Sequence, residues 1–178
     1  MDTRFDVNTT NPMDAFRVFA KIIYAITAPF LRFLFYIFMV ITVAIGIFFT
    51  WKLGFSAGNC LLILAGLLFP LVHMRMIHRL ASSMAKSAGG AGGYLQYRFL
   101  DDSFLLTDRF GEQSVSYEDV ETVIESAKYI FLMRKNFKGH CMEKAAFPDG
   151  QTAVFLDFLR EKMPANTFFG RYPGKVTR

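Results

Sequence analysis

From Phe33 to Met74 the chain carries one charged residue, Lys52. Neither an ordinary soluble globule nor a disordered chain tolerates such a run, since soluble domains are about a quarter charged. Phe33–Val72 covers roughly 60 Å as helix at 1.5 Å per residue, against a hydrocarbon core about 30 Å thick. The stretch therefore predicts two crossings. Its fold point belongs at Trp51-Lys52-Leu53-Gly54-Phe55-Ser56, where an interfacial tryptophan, the lone cation and a turn-forming glycine cluster. The expected helices are 32–51 and 56–77, with Arg32, Trp51, Ser56 and Met74 at the span ends. Strands are excluded at that depth because only helices satisfy their own backbone groups there.

The charge distribution agrees. The first 30 residues hold three basic and three acidic groups, and residues 94–178 hold twelve of each. The net +5 thus resides in Arg32, Lys52, Arg75, Arg79 and Lys86. Such an excess beside apolar spans is a topology signal and a match for anionic headgroups, and nucleic acid is not an expected partner. Arg17, Lys21, Arg32, Arg75, Arg79 and Lys86 at the outer ends, against Lys52 in the loop, place both termini in the cytoplasm. Cys60 and Cys141 are too sparse for a disulfide framework and fit a reducing compartment. A cleavable signal peptide is not expected, because the first apolar run is too long and leads into a second. Gly58, Ala65 and Gly66 are candidates for close helix pairing, and Pro70 for a kink. His73 and His78 read as interfacial residues rather than metal ligands.

Residues 1–31 form a separate unit. Asn11-Pro12 followed by Asp14 is a helix start. Phe16, Phe19, Ile23, Ile26 and Phe30 recur at helical spacing, with Arg17, Lys21 and Tyr24 opposite, which predicts an amphipathic helix in the inner interface, ended by Pro29. Extension of the first span, or packing on the soluble domain, is the alternative. Residues 80–93, ending in Gly89-Gly90-Ala91-Gly92-Gly93, read as a linker after the 32–79 hairpin.

Beyond the linker, alternation predicts strands at 94–100, 104–109, 113–117, 120–126, 129–134 and 140–147. Asp149 is placed to cap a helix whose stripe is Val154, Phe155, Phe158, Leu159 and Met163, with Pro164 as its stop. The expectation is a membrane α-hairpin of two transmembrane helices plus an α+β domain over 94–164. That domain would be a small barrel or curled sheet plugged by its last helix, with Arg4–Val7 as a candidate further strand and 165–178 as a flexible tail.

The hairpin, glycine linker and final strand-then-helix unit resemble the bacterial YcxB-like membrane proteins. Tyr97-Arg98-Phe99 with Asp101-Asp102, Ser116-Tyr117-Glu118-Asp119-Val120 leading to Val123 and Glu125, and Lys144-Ala145-Ala146-Phe147 carry the resemblance. It covers about residues 30–163; the family commonly has tryptophan where Tyr117 stands. It implies a cytoplasmic domain of the pleckstrin-homology type and the bacterial inner membrane as location, and it implies no reaction.

Catalytic patterns are sparse. Gly89–Gly93 lacks the lysine of a phosphate loop, His140 and Cys141 point to opposite strand faces, and Asp101-Asp102 reads as turn chemistry. No catalytic, cofactor or metal residue is expected, and no small-molecule substrate. The expected function is a non-enzymatic membrane protein whose domain contacts a protein, peptide or lipid headgroup, with self-association as one form of partnership. An inner-membrane immunity protein against a toxin is the alternative. The candidate contact is a hairpin tip, Arg134, Lys135, Phe137 and Lys138, with three cations around one ring.

Overall fold

Helix α1 (Met13–Thr27) begins just after Asn11-Pro12 with Asp14 in its first turn, but Asn11 Oδ1 makes no hydrogen bond among the described residues, so the expected side-chain cap is not formed. A computed structural model of the chain describes residues 4–27, 29–88, 90–134, 139–148 and 151–172. Arg17 and Lys21 are exposed on α1, whereas Ala15, Phe19, Ile22 and Ile23 are buried. That apolar face is covered by protein rather than left free for an interface. Ile124, Tyr129, Phe131 and Met133 of the sheet domain pack on it, and Met84 joins the same cluster. Tyr24, expected on the polar side, is also buried, with its ring 5.0 Å from His73.

Two long apolar helices follow, α2 (Pro29–Leu53) and α3 (Ala57–Ser87), both long and apolar enough to cross a membrane. The turn between them uses the predicted residues. Gly54 has φ +82°, and Ser56 caps α3 by accepting the Asn59 N–H at 3.3 Å. Close pairing rests on two glycines. A Cβ on Gly66 would stand 2.5 Å from Val43 Cγ2, and one on Gly46 would stand 2.7 Å from Ile63 Cγ1. Gly66 is thus a pairing residue as expected. Gly58 is not, because only its neighbour Ser56 approaches, at 3.9 Å. Phe35 and Phe38 flank Phe69 at 5.3 and 5.6 Å. Outside this seam the pair is bare, with Trp51 77% and Phe55 89% exposed.

Helix α3 continues through Pro70 and runs ten residues beyond the predicted end, into the stretch expected as linker. The reason is tertiary. Ala81 and Ala85 are buried, and the upper part of α3 packs against α1. With Met84 beside Ala15 and Phe19, and His73 beside Tyr24, α1 and α3 run antiparallel.

The remaining chain forms two four-stranded sheets rather than a closed barrel. Sheet one is the antiparallel array β1 (Phe5–Thr10), β2 (Tyr94–Phe99), β3 (Ser103–Asp108) and β4 (Gly111–Ser116). The candidate N-terminal strand is therefore present, paired along its length with β2. A short 3-10 turn at Tyr117–Asp119 redirects the chain into β5 (Val120–Ser126). Sheet two has the order β7 (Gly139–Glu143), β6 (Tyr129–Arg134), β5, β8 (Phe168–Tyr172). Strand β8 lies in the stretch expected as a flexible tail and pairs parallel to β5. Where β1 approaches β7, a side-chain bond replaces a ladder: the Glu143 N–H donates to Thr9 Oγ1 at 3.2 Å.

Helix α4 (Gln151–Lys162) packs into the core that the two sheets share. Its buried stripe is Phe155, Leu156, Leu159 and the following Met163, and Phe158 is partly buried. Val154, expected inward, is 59% exposed. The predicted cap Asp149 lies outside the described residues. Sheet two is covered on both faces, by α1 on one side and by sheet one with α4 on the other. The uninterrupted apolar run Tyr129–Met133 in β6 follows from that double burial.

Candidate functional site

Ion pairing divides the molecule. Every ion pair among the described residues lies in the sheet domain, such as Lys144 with Glu125 at 2.5 Å and Lys162 with Asp101 at 3.2 Å. Hydrogen bonding and charge from Lys162, with help from Arg4, hold the Asp101 carboxyl below its ordinary range. Asp101 is thus a structural anchor, as its turn position suggested. Burial pushes the Glu125 carboxyl up, but Lys144 and Arg171 outweigh it and the net shift is downward. Tyr117 donates its hydroxyl proton to the Leu100 carbonyl at 2.8 Å.

Helix α3 is different. Arg75, His78, Arg79, Ser82 and Lys86 form one exposed face on its upper half, and no described carboxylate pairs with the three cations. The opposite side, Ile77, Leu80, Ala81, Met84 and Ala85, is buried or half-buried. Of the predicted span ends, Trp51 and Met74 are exposed, Ser56 is the cap, and Arg32 lies within α2.

The predicted hairpin tip is only partly visible. Arg134 is held by Asp119 at 3.1 Å and is partly buried, while Lys135, Phe137 and Lys138 lie outside the described residues. Of the predicted contact, the described residues hold Arg134 alone, and it is ion-paired.

A cavity of about 420 Å³ lies where α1, the upper end of α3 and strands β6 and β7 meet. Phe16, Phe19, Met84 and Phe131 give it apolar walls, and Asn11, Ser83 and Ser87 add polar groups. Phe19 stacks on Phe131 at 5.3 Å and closes over Gly139, where a Cβ would stand 2.6 Å from its ring. Asn11 Oδ1 is buried with no hydrogen-bond partner. Sequence reasoning missed this cavity because four separate elements build it.

His140 and Cys141 do face opposite sides of β7. The His140 ring meets Phe104 and Tyr97 edge-on at 5.2 and 5.9 Å, while Cys141 packs with the α1 cluster and lines the cavity. Burial pushes the Cys141 thiol up, aided by Glu143. No group of three or more metal-ligating side chains occurs among the described residues.

Burial, and then the charge of Arg134, lower the His140 pKa from 6.5 to about 4. Between those values the unfolded chain binds the proton and the folded chain does not, so stability falls as pH drops from 6.5 towards 4. The full shift corresponds to about 3 kcal/mol. Urea midpoints of the full chain in micelles should fall over this window, and His140→Leu should flatten the fall. An unchanged slope in His140→Leu would place the acid sensitivity elsewhere.

No family model, no curated protein and no solved structure matches this chain.

Proposed function

We propose that the protein is a non-enzymatic, membrane-anchored interaction module of the bacterial inner membrane. In this reading α2 and α3 cross the bilayer, the short Gly54–Ser56 turn faces outward, and both termini with the sheet domain lie in the cytoplasm. The observation that carries it is the bare apolar surface of α2 and α3, bounded at one end by the unpaired cations of α3. A core helix of a soluble protein would be covered, whereas lipid satisfies this surface without protein partners. The order of hairpin, glycine turn, strands and closing helix is also that of the YcxB-like resemblance.

The sheet domain stands beside the membrane rather than swinging on a free tether. Helix α1 is packed on sheet two and α3 at once, so the domain presents a fixed face to whatever approaches. Asp101, Glu112, Asp119, Glu125 and Asp157 are held in ion pairs, which supports a structural role for these carboxylates.

Labelling tests the topology. With Cys60 and Cys141 replaced by Ser, a cysteine at Lys52 should react with a membrane-impermeant maleimide in intact cells. Cysteines at Lys86 or Asp149 should react only after lysis. The opposite pattern would place the sheet domain outside the cell, and equal labelling everywhere would remove the membrane reading.

A further inference from the structure

Resting on the reading that α3 crosses a bilayer, we propose that the cavity between α1, α3 and sheet two binds a single-chain anionic amphiphile. Its apolar chain lies among Phe16, Phe19, Met84 and Phe131, and its acidic head sits at Ser83 between Arg79 and Lys86. Three observations converge on this ligand class.

The first is continuity. Ser83 lines both the apolar cavity and the basic face of α3. On a helix, residues three and four apart are neighbours about 5–6 Å apart. Arg79 and Lys86 therefore flank Ser83, one turn on either side, where a carboxylate or phosphate would meet two unpaired cations. The second is the lining. At about 420 Å³ the cavity lies at the small end of ligand sites, roughly 300–1,000 Å³. Its walls are mainly apolar, and the lining residues that carry polar side chains are Asn11, Ser83, Ser87, His140 and Cys141. A sugar or nucleotide would leave most of its polar groups unanswered, at a cost of about 1–3 kcal/mol for each buried one. An apolar chain asks for none. Asn11 Oδ1, buried and unpartnered, remains as an acceptor for a hydroxyl near the head.

The third is position. Counted from Ala57, about 20 residues of α3 fill the hydrocarbon core, which brings its edge to about Met76. Ser83 then stands roughly 10 Å further out, next to the headgroups. An amphiphile leaving the bilayer meets the cations first and the cavity behind them. Fatty acids and lysophospholipids share this chemistry, and the experiment separates them.

The native thiol reports occupancy, since Cys141 lines the cavity. Full-length protein with Cys60→Ser, in phosphatidylcholine nanodiscs, is alkylated with N-ethylmaleimide and followed by intact mass. Palmitate or lysophosphatidylglycerol at ten times its Kd should slow labelling about tenfold, and the one acting at lower concentration identifies the source. Hexadecanol, with the same chain and no charge, should not protect at that concentration. Arg79→Gln with Lys86→Gln should raise the palmitate needed about 30-fold, at roughly fivefold per cation. Ser83→Trp, on the exposed helix surface, should abolish protection without lowering the melting temperature.

A palmitate analogue carrying a photoreactive group at its tail should label Ala15–Phe19 or Met84. This arm decides the matter if Cys141 proves unreactive without any amphiphile. Equal protection by hexadecanol would overturn the role of the cations. Absence of both protection and photolabelling would overturn the site. Failure of the topology labelling with palmitate protection intact would remove the membrane and leave the amphiphile site standing.

Discussion

Excised as residues 94–164, the sheet domain is expected to remain unfolded, whereas residues 4–27 joined to 94–172 by a short glycine linker should fold and melt cooperatively. The smaller piece lacks β1, α1 and β8, so both sheets lose a strand and sheet two loses the cover on one face. Ile124, Phe131 and Met133 would be uncovered and Val7 lost from the core. At about 2 kcal/mol for each such side chain, the deficit is roughly 8 kcal/mol, comparable with the whole stability of an ordinary domain, about 5–15 kcal/mol. Circular dichroism on both pieces decides it. A cooperative β-type melt from 94–164 alone would mean that the N-terminal strand and helix are accessories.

Within the joined piece, Phe155→Ala should cost about 3–5 kcal/mol, as expected for a phenylalanine removed from a closed core. Phe155 is 0% exposed, and its ring touches Phe99, Phe147 and Phe5 at centroid distances of 4.7, 4.8 and 5.3 Å. It therefore ties α4 to sheet one and to the end of the β7 segment together. Val154→Ala, one residue earlier on the outer side of the helix, should stay within about 0.5 kcal/mol. Urea denaturation of the two variants side by side is the measurement. Similar losses in both would contradict the orientation of α4.

The hairpin was legible in the sequence because its signal is local. A run free of charge except at Lys52, broken at Gly54, leaves few other folds. The place where α1 starts was legible for the same reason, through Pro12 and Asp14, although the cap expected of Asn11 is not made. What covers α1 was open, since periodicity marks an apolar face and is silent on its partner, and the alternative of packing on the sheet domain is the one the structure shows. The unbroken run Tyr129–Met133 held the missing half of that answer, because a strand apolar on both sides needs a cover on both sides. Strand β8 escaped notice since Phe168–Tyr172 shows little alternation and its partner β5 is more than forty residues away. The barrel expectation failed on a detail invisible to patterning: β1 and β7 meet through the Thr9 hydroxyl rather than through a ladder. The Arg79, Ser83 and Lys86 face was partly legible as charge, and the cavity beside it was not.

The first strand of the sheet domain is made well before its partner β2, which lies beyond residues 11–93. At about 5–20 residues per second, β1 waits roughly 5–20 s for that partner. Closing so long a loop unaided costs about 4 kcal/mol in chain entropy. The helices remove that cost. In the folded chain the Asn11 N–H donates to the Gly93 carbonyl and the Gly92 N–H donates to the Asn11 carbonyl, at 3.3 and 2.6 Å, beside the pairing of Thr10 with Tyr94. Order of synthesis and order of pairing therefore differ for this strand: β1 is made before β2, and the helical segment between them carries their ends to one place.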